Sequence, residues 1–305
     1  MSHALVIGEA LIDITKDTDG VVREFPGGSP ANVALGLARL GRQVELATWV
    51  GIDAHGQILL EHLQRDGVRV VPGSDAAART STALAELDAD GAASYTFDLL
   101  WNVPEVHLDN DLAILHVGSI AATLQPGADA VAEIAQVARE HATVTYDVNA
   151  RPTIMGEPAQ VAPMVERLIA RSDIVKVSDE DVGWLSPDTD PLDTIRGWAT
   201  TGPSLVVLTR GGNGTSAVTS TGIELNLPAP EVEVADTVGA GDSYMSGLID
   251  ALWSADLLGA SRRGPLAAID EQSLHAAMTR AGAAAAITVS RPGANPPHKH
   301  ELEQN

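Results

Sequence analysis

The chain has 305 residues, of which 45% are hydrophobic and only 3% aromatic, so one large core must be built mainly from Ala, Val, Leu and Ile. A formal net charge of −22 argues against nucleic acid or an anionic membrane as a partner. Cysteine is absent, which excludes a disulfide framework and a thiolate site. The first fourteen residues are too short and acidic for a signal peptide, and no apolar run reaches membrane length, so we expect a cytoplasmic protein.

Strand-like and helical runs alternate along the chain. Residues 3–14 predict a strand, and residues 29–41 predict a helix with Ser29 as its cap and Gly41 as its stop. Further strands are predicted at 43–50, 112–118, 143–149, 173–178 and 204–209, with helices at 56–66 and 127–140. Repeated strand–helix–strand units predict an α/β fold with a doubly wound, mainly parallel sheet between two helical layers, as in Rossmann-like proteins.

Two polar segments interrupt this alternation. Residues 14–25 and 80–98 both alternate in polarity as hairpins do, the second around Asp90-Gly91. We interpret the segments 14–25 and 79–100 as a small separate sheet that forms a lid over the binding face. An edge meander without function is an equally good interpretation of the pattern alone.

The loops after the predicted strands are rich in polar and small residues. They contain Asp13, Gly118-Ser119, Asp147, Asn149, Arg151, residues 178–181, residues 209–212 and a Gly-Ala-Gly-Asp turn at 239–242. Because the carboxyl ends of parallel strands meet at one edge of the sheet, these residues predict a ligand site there.

Residues 231–252, EVEVADTVGAGDSYMSGLIDAL, predict a strand, a turn of small residues and a helix that begins at Asp242. Unpaired amides at a helix N-terminus bind anions, and small residues let a phosphate approach them. A carboxylate beside a phosphate suggests a base that accepts a proton from the attacking hydroxyl. By itself, however, an aspartate after a glycine turn is more often a helix N-cap than a base.

Other phosphate and metal motifs are missing or out of context. None of the three lysines follows a glycine, which excludes a Walker A loop. Residues 212–217 fit G-x-G-x-x-A, but the chain continues as a strand instead of opening a helix, which argues against a dinucleotide site. The nine histidines show no metal-binding spacing.

DTVGAGDS (236–243) and PGGSPANVALGLARLG (26–41) resemble the two signatures of the PfkB, or ribokinase-like, carbohydrate kinases. VIGEALIDI at the start, YDVNARP (146–152), VKVSDEDVGWL (175–185), LTRGGNG (208–214) and ITVSRPGANPP (287–297) resemble further blocks of the fructokinase-like branch. The resemblance implies one ribokinase-like α/β domain over 1–305 with an inserted lid. It also implies ATP-dependent phosphorylation of a sugar and a possible homodimer through the lid.

The resemblance also implies roles for individual residues. Asp242 matches the catalytic base, and Gly239, Ala240, Gly241 and Asp242 match the anion hole. The sugar positions correspond to Asp13, Gly27, Gly28 and Asn32, to which Asn149 and Arg151 are added as candidates. The nucleotide positions correspond to Ser178, Thr209, Gly211, Gly212 and Gly214, with helix 276–287 beside the adenine. Asp181 would place Mg²⁺ through water, although the block reads S-x-x-D here instead of N-x-x-E. Carbonyl groups of Asp236, Val238 and Gly293 match a site for a monovalent cation such as K⁺.

The resemblance implies an ATP-dependent kinase that phosphorylates D-fructose at its 6-hydroxyl. Arg151 is also compatible with an acidic sugar as the substrate, since a guanidinium can bind a carboxylate through two hydrogen bonds. The first alternative substrate is therefore 2-keto-3-deoxygluconate, followed by ribose. A relative that binds sugar or nucleotide without catalysis is the non-enzymatic alternative. The intact turn and Asp242 argue against it.

Overall fold

The computed structural model describes residues 2–87 and 93–304. The Asp90-Gly91 turn predicted from the sequence lies outside these residues. Thirteen strands are found in the described part of the chain: β1 (His3–Ile7), β2 (Leu11–Lys16), β3 (Val22–Gly27), β4 (Val44–Ala47), β5 (Arg69–Val70), β6 (Thr82–Leu87), β7 (Ala93–Asp98), β8 (Leu112–Gly118), β9 (Thr143–Asp147), β10 (Ile174–Ser178), β11 (Leu205–Thr209), β12 (Thr215–Thr219) and β13 (Glu224–Leu227).

The helices follow the predicted alternation. They are α1 (Ser29–Arg39), α2 (Ala54–Arg65), α3 (Gly127–Ala138), α4 (Pro152–Met155), α5 (Pro158–Ile169), α6 (Asp179–Leu185), α7 (Pro191–Trp198), α8 (Ala240–Ser254), α9 (Arg263–Ala267), α10 (Glu271–Val289) and α11 (Lys299–Leu302). Short 3₁₀ turns occupy Ser119–Ala122, Gly211–Asn213 and Ala260–Arg262. None of the helices in the described residues is long and apolar enough to cross a membrane.

Nine strands form the main sheet, in the order β13-β12-β11-β10-β9-β8-β1-β4-β5. The seven strands from β11 to β5 are parallel, and β12 and β13 add an antiparallel edge. Helices α1, α8 and α10 pack on one face, whereas α3, α5 and α7 pack on the other. Strands buried on both faces, such as LAILHVG in β8, read as continuous apolar runs. The predicted three-layer α/β fold is confirmed.

A separate four-stranded sheet has the order β3-β2-β6-β7. The pairs β2–β3 and β6–β7 are antiparallel, as the two predicted hairpins require, and β2 runs parallel to β6 between them. Asp53 holds the base of this sheet, because its carboxylate accepts hydrogen bonds from the Thr80 amide (2.8 Å) and hydroxyl (2.6 Å).

Four sequence-based boundaries are wrong. The predicted strand 3–14 is divided between the two sheets near Gly8, where a Cβ atom would overlap the ring of Pro30. Residues 231–235 alternate like a strand but form none, since no neighbouring strand is available to them among the described residues. Helix α1 is capped by Gly28 and not Ser29, and α8 begins at Ala240 instead of Asp242.

Candidate active site

An open cleft of about 1640 Å³ lies along the carboxyl ends of the parallel strands. This volume exceeds the roughly 300–1,000 Å³ of a typical single-ligand pocket, so the cleft has room for two substrates. Asp242 lies among the residues that line it, between a part bordered by the small sheet and a part bordered by α10.

Asp242 is held by two side chains from α1. Its Oδ1 accepts a hydrogen bond from Ser29 Oγ (2.7 Å), and its Oδ2 accepts one from Asn32 Nδ2 (2.8 Å). Burial raises the pKa of the Asp242 carboxyl, while these two hydrogen bonds oppose the increase. The N-cap interpretation is wrong, because Gly239 occupies that position and the Asp242 side chain bonds to another helix.

The turn before α8 requires its glycines. Gly239 has φ +75°, and a Cβ atom there would lie 2.7 Å from the Cβ of Ala294. A Cβ on Gly241 would lie 3.2 Å from Lys176 Nζ. Gly239, Ala240, Gly241 and Asp242 all line the cleft at the N-terminus of α8, which is the end of a helix that binds anions.

The part of the cleft beside the small sheet contains two buried acids. Burial raises the pKa of Asp13 to about 6 and that of Glu9 to about 7, and the positive charge of Arg151 partly opposes both increases. The backbone of Gly28 passes so close to Glu9 that a side chain would overlap its carbonyl. A side chain on Gly27 would overlap the Asp13 carboxylate, although Gly27 itself does not line the cleft.

Asn149 and Arg151 lie on the loop after β9. Asn149 has φ +36°, an uncommon value for a non-glycine residue that often marks functional loops. Arg151 Nη1 donates to Asn149 Oδ1 (2.7 Å) and to the carbonyls of Asn149 (3.3 Å) and Ala150 (2.9 Å). Both residues line the cleft with Asp13, Gly28 and Asn32, so five of the six predicted sugar residues lie together.

The part of the cleft beside α10 brings the predicted nucleotide residues together. Its lining includes Ser178, Thr209, Gly211, Gly212 and Gly214, and the α10 residues His275, Met278, Thr279, Gly282, Ala285, Ala286 and Val289. Gly214 has φ +85°, and a side chain there would overlap the Leu227 carbonyl. The predicted helix 276–287 lies within α10.

The candidate cation residues are engaged in local hydrogen bonds. Asp181 Oδ2 accepts from the Ser178 amide (2.9 Å) and Oδ1 from the Ala150 amide (2.8 Å), which joins two loops at the cleft. Asp236 accepts from the amides of Val238 (3.0 Å) and Gly293 (2.8 Å), so these three residues lie together. Of the three, Val238 lines the cleft. The described residues contain no group of three or more His, Cys, Asp or Glu side chains able to hold a metal ion.

The sequence analysis missed three residues at the site. Glu9 lines the cleft and accepts a hydrogen bond from the Ala121 amide (3.0 Å). Ser29 was interpreted as a cap but bonds to Asp242. Lys176 lies in β10 with its ammonium 3.1 Å from Asp147 Oδ1. Lys176 could have been found from the sequence, because a charged residue within an apolar strand, as in IVKVS, is rare unless it has a partner or a function.

Replacing Glu9 by Gln should remove a pH-dependent loss of stability. The folded pKa of about 7 exceeds the ordinary value of 4.5, so the folded state binds more protons between them and stability falls as pH rises through this window. A shift of this size corresponds to about 3 kcal/mol of unfolding free energy. We expect urea denaturation at pH 5 and pH 8 to show a smaller difference for Glu9→Gln than for the native protein. The exposed Glu105→Gln variant is the control and should keep the native difference, whereas an unchanged difference in Glu9→Gln would contradict the assignment.

The chain is similar throughout to known sugar kinases. The profile described as "pfkB family carbohydrate kinase" matches residues 1–301. A fructokinase from Klebsiella pneumoniae is 33% identical over 256 residues, covering 81% of this chain and 83% of the relative. The structure of a Xylella fastidiosa fructokinase with bound ATP has a TM-score of 0.85 at 25% identity and covers 99% of this chain and 97% of that one. A Vibrio cholerae fructokinase variant with bound fructose, ADP and potassium ion has a TM-score of 0.79 at 26% identity, with coverages of 100% and 98%. The chain therefore belongs to the PfkB family of carbohydrate kinases.

Proposed function

We propose that this sugar kinase transfers the γ-phosphoryl group of ATP to the 6-hydroxyl of D-fructose. The observation that carries the proposal is the Asp242 carboxylate, held between Ser29 and Asn32 at the N-terminus of α8 and inside a cleft large enough for two substrates. The fructokinase relatives support fructose as the acceptor.

In this proposal Asp242 acts as the general base. The fructose hydroxyl gives its proton to the Asp242 carboxylate while its oxygen forms a bond to the γ-phosphorus. The bond between the γ-phosphorus and the bridging oxygen breaks, and ADP leaves with that electron pair. The amides of Gly239, Ala240, Gly241 and Asp242 stabilise the charge of the transferring group, because a low-dielectric site strengthens such fixed donors.

We assign the part of the cleft beside the small sheet to the sugar. Asp13, Asn32 and Asn149 offer acceptors and donors for hydroxyl groups, with the Gly27 and Gly28 amides nearby. The electrostatics support a neutral sugar over 2-keto-3-deoxygluconate, because burial here already disfavours the charged forms of Glu9 and Asp13 and would disfavour a substrate carboxylate in the same way. Arg151 already donates to acceptors of its own loop, which supports a role in holding Asn149.

We assign the part beside α10 to ATP. Ser178, Thr209, Gly211, Gly212 and Gly214 would surround the phosphates and ribose, and the small and apolar residues of α10 would contact the adenine. Side-chain-free loops allow the backbone to approach a nucleotide closely.

Mg²⁺ would accompany the ATP and neutralise charge on its phosphates when bound. The donors fit a hydrated ion, since Asp179, Glu180 and Asp181 all line the cleft and carboxylates can hold Mg²⁺ through its waters. We further propose a monovalent cation site at the carbonyls of Asp236, Val238 and Gly293. The hydrogen bonds from Val238 and Gly293 to Asp236 support it by holding the three residues together.

The substrate assignment is tested by comparing kcat/KM for fructose, 2-keto-3-deoxygluconate and ribose with MgATP. Fructose should give the highest value, because a site that satisfies particular hydroxyls discriminates against sugars that place them differently. A tenfold advantage of the keto acid, about 1.4 kcal/mol of transition-state preference, would show that the acceptor is wrong. Absence of turnover with every sugar would instead favour a non-catalytic binding protein.

We also propose that the segments 14–25 and 79–100 form a lid over the sugar. Ala83, Tyr95 and Phe97 of the small sheet line the cleft, which supports closure on this side. Fructose should therefore protect the amides of β3 and β6 from hydrogen exchange more than ATP does. The amides of α7, which packs on the face of the main sheet away from α1, α8 and α10, should exchange at the same rate with and without either ligand. Equal exchange of β3 and β6 with and without fructose would favour the edge-meander interpretation.

The same sheet is our proposed surface for a homodimer. Phe25 and Tyr95 lie on the same face of this sheet and are 49% and 61% exposed in the single chain, and a second copy of the sheet would cover them. Sedimentation analysis should give a dimer that Phe25→Asp dissociates, whereas a monomeric native protein would contradict this surface.

A further inference from the structure

A buried ion pair lies in the centre of the main sheet, under the N-terminus of α8. Lys176 of β10 and Asp147 of β9 are register partners in adjacent parallel strands, and Lys176 Nζ lies 3.1 Å from Asp147 Oδ1. Lys176 is 3% exposed and Asp147 is fully buried. Burying two charges in a sheet core is costly, so such a pair calls for an explanation beyond stability.

The ammonium group of Lys176 lies at the proposed site of phosphoryl transfer. Lys176 lines the cleft together with the turn at 239–242, and its Nζ is 3.2 Å from the position that a Cβ on Gly241 would take. Its positive charge also acts on Asp242, where it opposes the effect of burial on the pKa of that carboxyl. Asp147 does not line the cleft, so it contacts the lysine from the side of the sheet.

The charges around the cleft explain why a cation is needed there. Asp242, Asp181, Glu9 and Asp13 all border a cleft that must accept an anionic triphosphate. Among the described lining residues, Arg151 and Lys176 are the only Arg or Lys side chains. Arg151 is exposed and bonds to its own loop, whereas Lys176 lies at the turn itself.

We propose that the Lys176 ammonium is a catalytic group that contacts the transferring phosphoryl of ATP, and that Asp147 is a positioning residue that holds it. The inference rests on the proposed kinase function and adds a cation to its anion site. Lys176 takes no part in the proton transfer, so Asp242 remains the proton acceptor. The ammonium compensates the negative charge that the phosphoryl brings to the amides of α8.

The test uses variants that separate chemistry from folding. Lys176→Met alone leaves Asp147 buried without its partner and can prevent folding, so the informative variant is Lys176→Met with Asp147→Asn, in which both charges are removed. We expect this double variant to fold and to lose about a hundredfold or more in kcat. It should also bind ATP more weakly while binding ADP as before, so that the Kd for ADP divided by the Kd for ATP falls about tenfold. A purely structural pair would not change this ratio. The exposed Lys299→Met variant should match the native protein in both measurements.

A second measurement uses the native protein and does not depend on any variant being stable at the site. The three lysines should give three resonances when the chain is labelled with ¹³C at lysine Cε, and Lys16→Arg and Lys299→Arg identify the other two. A non-hydrolysable ATP analogue should shift the Lys176 resonance more than ADP does. An unshifted resonance with bound analogue, or a folded double variant with native kcat, would overturn the proposal. Should no sugar be phosphorylated while Lys176 still responds to the analogue, the acceptor assignment fails and the phosphate contact stands.

Discussion

The Asp242→Asn variant is expected to fold like the native protein and to lose about a hundredfold or more in kcat. Base catalysis acts on the transition state, so the dissociation constant of ATP should stay within a few-fold of the native value. Asparagine keeps the shape of the side chain and can still accept the hydrogen bond from Ser29, and its NH₂ group can donate to Asn32 once the Asn32 amide turns to present its oxygen. It cannot take the hydroxyl proton. Steady-state kinetics and ATP titration measure the two effects separately.

The pH dependence of the native protein gives the same assignment a second readout. Asp242 must be ionised to act as a base, and burial raises the pKa of its carboxyl. The rate should therefore fall on acidification at a higher pH than an ordinary aspartate would require. In the Ser29→Ala variant one hydrogen bond that favours the ionised form is lost, so the acidic decline should move to still higher pH. A decline that does not move would contradict the role of Ser29.

Asp250 offers a matched control on the same helix. It is 2% exposed and forms ion pairs with Arg42 (2.7 Å) and Arg280 (2.7 Å), and none of these three residues lines the cleft. Asp250→Asn should lower the midpoint of thermal unfolding and leave kcat near the native value, since it weakens a buried network without touching the chemistry. Normal turnover in Asp242→Asn, or an equal loss of kcat in both variants, would contradict the assignment of Asp242 as the base.

The sheet could be predicted because its signals are local. Strand β8 was predicted at its observed bounds, since a buried parallel strand is a continuous apolar run between polar loops. The loops at the carboxyl ends were also predictable, because parallel topology forces them to one edge. Asn149 after β9 is such a residue, whereas Asp13 lies in β2 of the small sheet and the turn at 239–242 follows no strand, so parallel topology does not explain how these two reach the cleft.

The contacts that define the site were not predictable from these signals, because they join distant parts of the chain. Ser29 and Asn32 meet Asp242 across 213 and 210 residues, and no periodicity relates them. Ser29 also had a satisfactory local interpretation as the cap of a helix. Likewise, the division of residues 3–14 between two sheets depends on Pro30 packing against Gly8.

The segment 231–235 shows the limit of pattern in another way. Alternating valine and glutamate describes an extended chain with two different faces, but a strand also needs a partner to share its backbone hydrogen bonds. Val232 and Val234 instead line the cleft near α10, 38% and 59% exposed. The alternating residues thus form part of the cleft lining, and the sequence alone could not distinguish such a segment from a strand.

The Gly239→Ala variant is expected to lose about thirtyfold or more in kcat, because a displacement of about 1 Å at a reacting centre can cost up to a hundredfold. Gly239 has φ +75°, and the added methyl group would lie 2.7 Å from the Cβ of Ala294. The turn must therefore move away from Ala294, and it carries the first amides of α8 and Asp242 with it. Kinetics and unfolding should be measured on the same preparation.

Gly222 supplies the control for backbone strain. It has φ +90° in the turn between β12 and β13, and a Cβ there would meet no atom within 4 Å. Gly222→Ala should therefore lose about 1 kcal/mol or more of stability, as a left-handed non-glycine residue does, with kcat unchanged. Adding Ala294→Gly to Gly239→Ala removes the methyl group that causes the overlap and should restore part of the lost rate. If Gly239→Ala keeps native kcat, the turn does not position the phosphoryl group; if Ala294→Gly restores nothing, strain and not the contact with Ala294 displaces the turn.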